Sequence, residues 1–468
     1  MQALLILNIV GLSPRHLGRF TPRLSAFAAR GRMLPLTSVL PAVTCSVQAS
    51  FMTGLAPSAH GIVGNGWFFR DLAEIWFWRQ SNKLVNGEKI WEAGKARDAQ
   101  FTCANLFWWY NMASSHDFGA TPRPIYKADG RKLPDCYTTP PAWREHLTAK
   151  LGTFPLFHFW GPATTIRSSQ WIADAAKLAI TEQNPTLTLV YLPHLDYDLQ
   201  RHGPDENHPA VQKSLQEVDQ VAGDLIEHAQ QAGRRVLILS EYGITKVDRP
   251  VHLNRHLRQA GFLAVRVEDG GELLDPIAST AFAVADHQIA HVYVAKPELI
   301  EPVRALLAAI PGVESVLAGS ARAQAGLDHP RAGELVVIAD ARSWFTYYYW
   351  LDDARAPDFA RTVDIHKKPG YDPVELFVDP VIRFPKLAIG WRLAKRLLGF
   401  RSLMNVIGLD ATLVKGSHGR PADDPQDGPL ILFDRADAFG GDERSAVNAT
   451  DVKAIALGIM FPTGNQGV

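Results

Sequence analysis

Thr44 is the residue whose position most clearly predicts chemistry. It follows a strand-like segment that ends at Pro41, and it begins a helix-compatible run that stops at Thr53-Gly54. The first N–H groups of a helix lack partners within the helix. Together with the helix dipole, they favour a bound phosphate or stabilise an alkoxide. Thr44 is therefore predicted to be a nucleophile or a phosphate anchor, although such a residue on its own is more often only a helix N-cap.

A longer pattern surrounds this threonine between Leu40 and Trp67. It has the form P-x-x-T followed by T-G-x-x-P-x-x-H-G-I-x-x-N, carried by Pro41, Thr44, Thr53, Gly54, Pro57, His60, Gly61, Ile62 and Asn65. The pattern resembles the nucleophile segment of the alkaline phosphatase superfamily. The most similar branch contains the nucleotide pyrophosphatases/phosphodiesterases (type I phosphodiesterases) and the phosphonoacetate hydrolases.

Further segments match this superfamily in the same order along nearly the whole chain. They are NIVGLSP (8–14), LPHLDYDLQRHGPD (192–205), LILSEYGI (237–244) and VKGSHGR (414–420), and VDIHKKPGYDPVELF (363–377) resembles a block found in part of it. The resemblance implies an α/β fold, the alkaline-phosphatase-like three-layer sandwich with a mainly parallel central sheet. It also implies a two-metal phosphoryl-transfer site, with Zn²⁺ as the family's metal. Two such cations activate the attacking hydroxyl and neutralise the phosphoryl oxygens.

The ligands of one family metal are altered here. In the family they are an Asp that ends the first strand, the nucleophile and an Asp-His pair. The first-strand Asp aligns with Val10, and Asn8 is the nearest polar residue on the same strand face. The Asp-His pair aligns with Glu241 and Tyr242. Oxygen donors move the preference from Zn²⁺ towards Mg²⁺ or Mn²⁺ and weaken binding, so one or two divalent ions of any of these kinds are expected.

The other family metal is held by an Asp-x-x-x-His and a late His. The first pattern falls on Asp196 and Gln200, and the late His is His418. A shifted register, Asp198 with His202, restores the i, i+4 spacing but moves away from the following Gly-Pro. The sequence leaves both registers open.

Replacement ligands are available elsewhere in the chain. Asp364 and His366 precede a Pro-Gly turn, and Asp286-His287 is a weaker candidate because Asp-His pairs often only cap turns. The predicted metal ligands are Asp196, His418, Glu241, Asn8, Asp364 and His366. The predicted substrate-binding residues are Gln48, Asn65, Gln200, His202, Tyr242, Lys367 and Arg420. The basic members would supply fixed positive charge, although at least one of Lys367 and Lys368 is expected to be a solvated surface lysine.

Alternating strands and helices must position these side chains. Short, continuous apolar runs predict buried strands at 4–10, 187–192, 236–239, 335–339 and 430–433. Apolar residues at spacings of three and four predict a helix over 210–231, which ends before Gly233. This alternation is typical of a mainly parallel sheet with helices on both faces.

Two stretches interrupt the alternation and set the predicted domain boundaries. Residues 67–170 are an aromatic-rich insertion, which forms either a small hydrophobic core or a lid over a substrate. Residues 261–320 are a small α+β cap. The core domain is then divided into 1–66, 171–260 and 321–468.

Composition excludes several classes of protein. The 468 residues contain 48 basic and 48 acidic side chains, so no general attraction to nucleic acid or to an anionic membrane is expected. The three cysteines are far apart, which disfavours a disulfide framework, and no apolar run is long enough to span a membrane. These features predict a cytoplasmic protein; the oligomeric state is not predicted. The basic run 386–401 is amphipathic: it could touch a membrane surface, but a helix whose basic residues face water is the commoner case.

The sequence therefore predicts a metal-dependent hydrolase of phosphodiester, pyrophosphate or phosphomonoester bonds that acts on a small phosphorylated organic substrate through Thr44. The altered ligands leave a second hypothesis, a degenerate family member that binds a phosphorylated ligand without hydrolysing it. Phosphonate hydrolysis is a further alternative on the same fold. A sulfatase is excluded, because Cys45 is not followed by the Cys-x-Pro-x-Arg pattern.

Overall fold

The computed structural model describes residues 1–400, 402–435 and 444–462 of the chain. Arg401, the last residue of the basic run, lies outside the described residues. The strands are β1 Leu4–Ile9, β2 Arg32–Thr37, β3 Gly66–Phe69, β4 Glu74–Phe77, β5 Cys103–Leu106, β6 Phe118–Pro122, β7 Ile125–Tyr126, β8 Lys132–Leu133, β9 Cys136–Thr139, β10 Leu187–Leu192, β11 Arg235–Leu239, β12 Thr245–Lys246, β13 Arg249–Val251, β14 Val265–Glu268, β15 Gly271–Leu274, β16 Ala281–Asp286, β17 Ile289–Val294, β18 Val313–Ala318, β19 Leu335–Ala339, β20 Ser343–Phe345, β21 Gly416–Ser417, β22 Leu430–Phe433 and β23 Val447–Asn448.

The α-helices flank these strands. They are α1 Pro22–Arg30, α2 Thr44–Thr53, α3 Pro57–His60, α4 Ile90–Arg97, α5 Trp143–Leu151, α6 Arg167–Leu178, α7 His194–His202, α8 Pro209–Gln231, α9 Leu253–Gln259, α10 Ile300–Ala308, α11 Gly319–Gln324, α12 Pro385–Leu397 and α13 Val452–Met460. Among the described residues, no helix combines the length and the apolarity that crossing a bilayer requires.

A central sheet organises the molecule. Within the described ranges it has nine strands, in the order β23-β2-β22-β11-β1-β10-β5-β6-β9. Strand β1 pairs in parallel with β10 on one side and β11 on the other, and β10 pairs in parallel with β5. Every residue of β1 is buried, because helices cover both faces of the sheet. Helix α8 contacts α1 and α6, and helix α13 contacts α2 and α4, which gives the predicted three layers.

A second, four-stranded antiparallel sheet has the order β16-β17-β19-β18. The strand predicted at 335–339 forms, but as β19 it belongs to this smaller sheet and not to the central one. Its residues are buried almost as completely as those of a central strand, so an apolar run alone does not reveal which sheet it joins. The small α+β unit predicted at 261–320 therefore includes a strand beyond residue 320.

The aromatic-rich stretch contributes to the main core. Strands β5, β6 and β9 extend one edge of the central sheet, so part of residues 67–170 continues the sheet instead of covering its edge. Trp91, Trp108 and Tyr110 are almost completely buried. These rings belong to the same hydrophobic core as the strands of the central sheet, and not to a separate small core.

The carboxyl ends of the parallel strands position the candidate site. β1, β10 and β11 are neighbours that run in the same direction, so the segments that follow them meet at one edge of the sheet. The segment after β10 carries Asp196, and the segment after β11 carries Glu241 and Tyr242. Cys45, Cys103 and Cys136 are buried and free, as the absence of a disulfide pattern predicted.

Candidate functional site

Thr44 is the first residue of α2. The preceding residue, Val43, has an extended backbone, and the helix ends at Gly54, whose φ of 74° is in the left-handed region that favours glycine. The Thr44 side chain points into a buried cluster, and the residue is only 3% exposed. Its hydroxyl lies 3.2 Å from the hydroxyl of Tyr242. The predicted nucleophile therefore lies at a helix N-terminus, with a hydrogen-bond partner already in place.

A chain of hydrogen bonds leads from Tyr242 to Asp196. The Tyr242 hydroxyl donates to Asp196 Oδ1 over 3.4 Å, and Gln200 Nε2 donates to Asp196 Oδ2 over 2.6 Å. Asp196 and Gln200 are four residues apart on α7 and therefore share a helix face. Asp196 and Gln200 therefore face the cluster around Thr44, whereas Asp198 accepts hydrogen bonds from Ser214 and Arg201.

Glu241 is held by two amide side chains. Asn8 Nδ2 and Gln48 Nε2 both donate to Glu241 Oε1, over 2.6 and 2.5 Å. Gln48 Oε1 in turn accepts from the backbone N–H of Trp109. The aromatic-rich segment thus reaches the site. Glu241 Oε2 and Asn8 Oδ1 are buried without a hydrogen-bond partner.

The second sheet contributes Asp286 and His287, which form the tip of the β16–β17 hairpin. Asp286 accepts hydrogen bonds from the backbone and side chain of Asn65, and Asn65 Oδ1 accepts from the backbone N–H of Cys45. Asp286 Oδ1 also lies 2.8 Å from His287 Nδ1. His287 has a φ of 60°, an unusual backbone conformation for a non-glycine residue and one that recurs at functional sites. The hairpin therefore holds the first turn of α2 through Asn65.

Four aromatic rings stack beside this cluster. The rings of Tyr242 and His418 are nearly parallel, with centroids 3.5 Å apart. His418 is 3.7 Å from His287, which is 3.7 Å from Tyr371. Tyr371 links the stacked rings to Asp196, because its hydroxyl donates to Oε1 of Gln200 over 3.2 Å and Gln200 donates to Asp196. His418 Nδ1 lies 2.9 Å from the carbonyl of Ala42, whereas the Nε2 atoms of both histidines are buried without a partner.

Burial dominates the electrostatics of the site. It raises the pKa of Asp196 to about 7, despite hydrogen bonds from Gln200 and Tyr242. It raises the pKa of Glu241 to about 8 and that of Asp286 to about 6. Burial also holds the pKa values of His287 and His418 well below the ordinary range for histidine. Near neutral pH, Glu241 is therefore mostly protonated and both imidazoles are neutral.

This donor set does not fit the family's pair of metal ions. The side chain of Val10 has no donor atom, Tyr242 and Gln200 stand where the family has histidines, and Asp196 and Glu241 accept hydrogen bonds from uncharged phenol and amide groups. The ring of Tyr242 covers one face of His418. Among the residues that the structure describes, no group of three or more His, Cys, Asp and Glu side chains is arranged to hold an ion.

Several predicted site residues have their contacts elsewhere. Asp364 and the exposed His366 lie on a loop, where the Asp364 backbone N–H donates to Glu375 and His366 Nδ1 lies 3.3 Å from the carbonyl of Phe77. His202 stacks on His208. None of these contacts connects the three residues to Thr44. Asp364 and His366 therefore lie on the predicted loop but are not part of the cluster around Thr44.

The basic side chains predicted to bind substrate, Arg420 and Lys367, either form ion pairs with other residues or face solvent. Arg420 forms ion pairs with Glu314 and Asp423, each at 2.9 Å. Lys367 is exposed, as expected for one lysine of its pair. The neighbouring Lys368 is buried instead.

Lys368 fixes the loop that carries Tyr371. Its Nζ lies 2.7 Å from Asp372 and 2.7 Å from Glu375, and all three side chains are at most 3% exposed. Burial lowers the pKa of Lys368, but the two carboxylates more than offset this effect and keep the pKa above its ordinary value. The ion triad brackets Tyr371 in the sequence and thereby positions its ring against His287.

Comparison with known proteins identifies the family. The family model described as type I phosphodiesterase/nucleotide pyrophosphatase matches residues 4–372. The chain belongs to this family. A curated relative, an uncharacterized pyrophosphatase/phosphodiesterase of Schizosaccharomyces pombe, is 26% identical to this family member over 259 residues, which are 52% of this chain. The matched region spans 45% of that relative's length.

Several solved structures share the fold of this type I phosphodiesterase family member. Phosphonoacetate hydrolase from Sinorhizobium meliloti, in complex with phosphonoformate, has a TM-score of 0.63 at 14% identity and covers 98% of this chain and 96% of its own. An inactive variant of murine ectonucleotide pyrophosphatase/phosphodiesterase 5, in complex with AMP, has a TM-score of 0.58 at 14% identity, and the match covers 100% of this chain and 98% of the murine one. Human ectonucleotide pyrophosphatase/phosphodiesterase 5 has a TM-score of 0.59 at 15% identity, and the match covers 100% of this chain and 97% of the human one. At these identities the likeness establishes the fold.

Sequence reasoning missed Tyr371 and gave Asp286 and His287 too little weight. Tyr371 follows a Pro-Gly turn within the matched block, which was the available signal. The Asp-His pair lies where one apolar run ends and the next begins, at 281–294. A hairpin tip of this kind can reach a distant site, but the sequence does not show which site it reaches.

We expect Glu241→Gln to change how stability depends on pH. The folded chain retains the Glu241 proton up to a pH of about 8, whereas an unfolded chain releases it near the ordinary value of 4.5. The free energy of unfolding of the wild type should therefore fall as pH rises between these values, by up to about 1.4 kcal/mol per unit. The variant lacks this contribution, so its stability relative to the wild type should increase from pH 5 to pH 8. Urea unfolding at several pH values measures the difference. The exposed Glu298→Gln is the control, and parallel curves for all three proteins would refute the assignment.

Lys368→Met should destabilise the fold strongly. It leaves Asp372 and Glu375 buried without their cation, a change that costs about 3–5 kcal/mol. The exposed neighbour provides a matched control, because Lys367→Met should change the free energy of unfolding by less than about 0.5 kcal/mol. Denaturant titration of both variants tests this, and equal losses would contradict the role of the triad.

Proposed function

We propose that this chain hydrolyses a phosphoric or phosphonic ester or anhydride at Thr44, and that Asp196 activates Thr44 through Tyr242. The observation that supports the proposal is the continuous path from Thr44 Oγ1 to the Tyr242 hydroxyl and on to Asp196, over 3.2 and 3.4 Å. The pKa of Asp196, about 7, suits a general base near neutral pH. Membership of a hydrolytic family and the helix N-terminus at Thr44 support the same conclusion.

The proposed step conserves protons and charge. Thr44 Oγ attacks phosphorus as its proton passes to the Tyr242 hydroxyl, which passes its own proton to the Asp196 carboxylate. The leaving group departs with its bonding electrons and takes up the proton, which Asp196 returns through Tyr242, and phosphothreonine forms. Water then attacks the phosphothreonine as its proton passes through Tyr242 to Asp196. When the bond between phosphorus and Thr44 Oγ breaks, Asp196 returns this proton to Thr44 Oγ, which restores the starting state. The N-terminal N–H groups of α2 favour the negative charge that develops on the phosphoryl oxygens.

Protonation of Glu241 reduces the negative charge that would repel an anionic substrate. Asp286, whose pKa is about 6, is mostly ionised near neutral pH, but it accepts hydrogen bonds from Asn65. We infer a small phosphorylated or phosphonylated organic molecule as the substrate. The murine and bacterial structural relatives support this class, because they were solved with AMP and with phosphonoformate.

The predicted dependence on a divalent metal receives no support from the donor set. Asp196 and Glu241, which align with ligands of different family metals, are here bonded to neutral partners. We therefore propose that hydrolysis does not require the family's pair of ions. The free, buried cysteines support the predicted cytoplasmic location, since they suit a reducing compartment.

A second candidate function is binding of the same class of ligand without hydrolysis. The observation that favours it is the burial of Thr44, which is only 3% exposed. The aromatic-rich segment contacts the same site, because the backbone N–H of Trp109 donates to Gln48. A ligand must displace part of this cover to reach the hydroxyl. Ligand binding without release of product would support this alternative.

Removing either hydroxyl of the path should abolish or strongly reduce hydrolysis of an aryl phosphodiester. Thr44→Ala removes the nucleophile, and Tyr242→Phe should lower kcat by about 10²–10⁴-fold because it interrupts proton transfer. Tyr348→Phe is the matched control, since the hydroxyl of Tyr348 is also buried but has no hydrogen-bond partner. Steady-state kinetics measure all three variants. Full activity of Thr44→Ala would rule out the proposed mechanism.

The dependence of the hydrolysis rate on pH should reflect the ionisation of both Asp196 and Glu241. Activity should rise through a pH of about 7 as Asp196 ionises, and fall through about 8 as Glu241 ionises and repels the substrate. Glu241→Gln should remove the alkaline fall and leave the acidic rise. An alkaline fall that persists in this variant would show that Glu241 does not cause it.

A further inference from the structure

Helix α12 exposes a stripe of large apolar side chains. Phe384, Leu387, Trp391 and Leu398 are 68%, 72%, 63% and 72% exposed. Leu387 and Trp391 lie within α12, and Phe384 and Leu398 directly precede and follow it. When the 100° per residue of an α-helix is continued to these flanking residues, the four side chains fall within a sector of about 60°, whereas the partly exposed Leu393 lies on the other side. Helix faces in globular proteins normally bury such residues, so a contiguous exposed stripe indicates a binding surface.

The opposite side of the segment is anchored to the protein. Ile382, Ile389 and Met404 pack against the hydrophobic core around the second sheet. Arg392 donates to the side chain and to the backbone carbonyl of Asn405, which ties the helix to the chain that follows it. The stripe is therefore the outer face of an attached helix.

The charge of this segment is strongly one-sided. Between Asp379 and Asp410 the sequence contains no acidic residue and six basic ones, Arg383, Lys386, Arg392, Lys395, Arg396 and Arg401, whereas the net charge of the whole chain is zero. Arg383, Lys386 and Lys395 are exposed. Lys395 Nζ lies 5.3 Å from the ring centroid of Trp391, so positive charge borders the apolar stripe directly.

We propose that α12 binds the surface of a membrane that contains anionic phospholipid. The stripe would enter the boundary between headgroups and acyl chains, where tryptophan is favoured, while the flanking lysines and arginines meet the lipid phosphates. The helix has 13 residues, fewer than the roughly 20 that a span requires, so it lies in the plane of the surface. The sequence left two interpretations of this run, membrane contact and a helix whose basic residues face water, and the exposed apolar stripe favours membrane contact.

The positive charge decides between this partner and a second copy of the chain. Packing two stripes against each other would bring two segments of like charge together, which disfavours association. An anionic lipid surface complements both the apolar stripe and the charge, and each nearby basic residue contributes to its binding.

Vesicle co-sedimentation of the full-length chain tests this proposal. The wild type should sediment with vesicles of phosphatidylcholine that contain about a quarter phosphatidylglycerol, and not with pure phosphatidylcholine. Raising the salt from about 0.1 M to about 0.5 M should weaken binding. The double variant Leu387→Ser/Trp391→Ser should bind at least about tenfold more weakly. The control Leu72→Ser/Ile277→Ser also removes two exposed apolar side chains, but from other parts of the surface, and should bind as the wild type does.

Three results would overturn the proposal. They are no binding of the wild type to the anionic vesicles, equal binding of the Leu387/Trp391 variant and the wild type, and a wild-type dimer in sedimentation equilibrium that this variant dissociates without lipid. Both double variants should have the same midpoint temperature of thermal unfolding as the wild type, which would confirm that the substitutions change only the surface. The readout does not depend on hydrolysis, so it is independent of the function proposed for Thr44.

Discussion

The burial of three carboxyl groups around one hydroxyl is the constraint on which the site depends. Asp196, Glu241 and Asp286 are all buried, and a charged carboxylate in such surroundings is costly unless it is paired. Here protonation and neutral hydrogen-bond donors supply the compensation, and burial moves all three pKa values towards neutrality. The same residues would behave differently beside a metal pair, which would keep them ionised. The amides of Gln200 and Gln48 supply neutral donors to Asp196 and Glu241 in place of a cation.

The architecture brings these groups together from distant parts of the chain. The segments that follow parallel strands of the central sheet place Asp196 and Glu241 at one edge of that sheet. The β16–β17 hairpin of the second sheet places Asp286 and His287 beside them. The loop held by Lys368 adds the ring that completes the stack. The site thus lies between the two sheets, and displacement of either one would separate the acceptors from their donors.

Part of this arrangement could be predicted from the sequence, and the remainder depends on packing between distant segments. The apolar runs predicted strands correctly, but nothing in the run at 335–339 shows that it pairs with the smaller sheet. Thr44 could be placed at a helix start because Pro41 and Gly54 bound the helix. The choice between Gln200 and His202 could not be made, because it depends on which side chains α7 meets. Tyr371 reaches the site only through its loop, and no local pattern encodes that distance.

We propose that the Thr44 centre works through a hydrogen-bonded network and not through the family's metal pair. The most direct test is elemental analysis of untagged protein after dialysis against Mn²⁺, Mg²⁺ and Zn²⁺ in turn. Hydrolysis of an aryl phosphodiester would be measured on the same samples before and after chelation. We predict that no ion is retained in stoichiometric amount and that chelation leaves the rate unchanged. Retention of about one or two ions per chain, with activity lost when they are removed, would contradict the account.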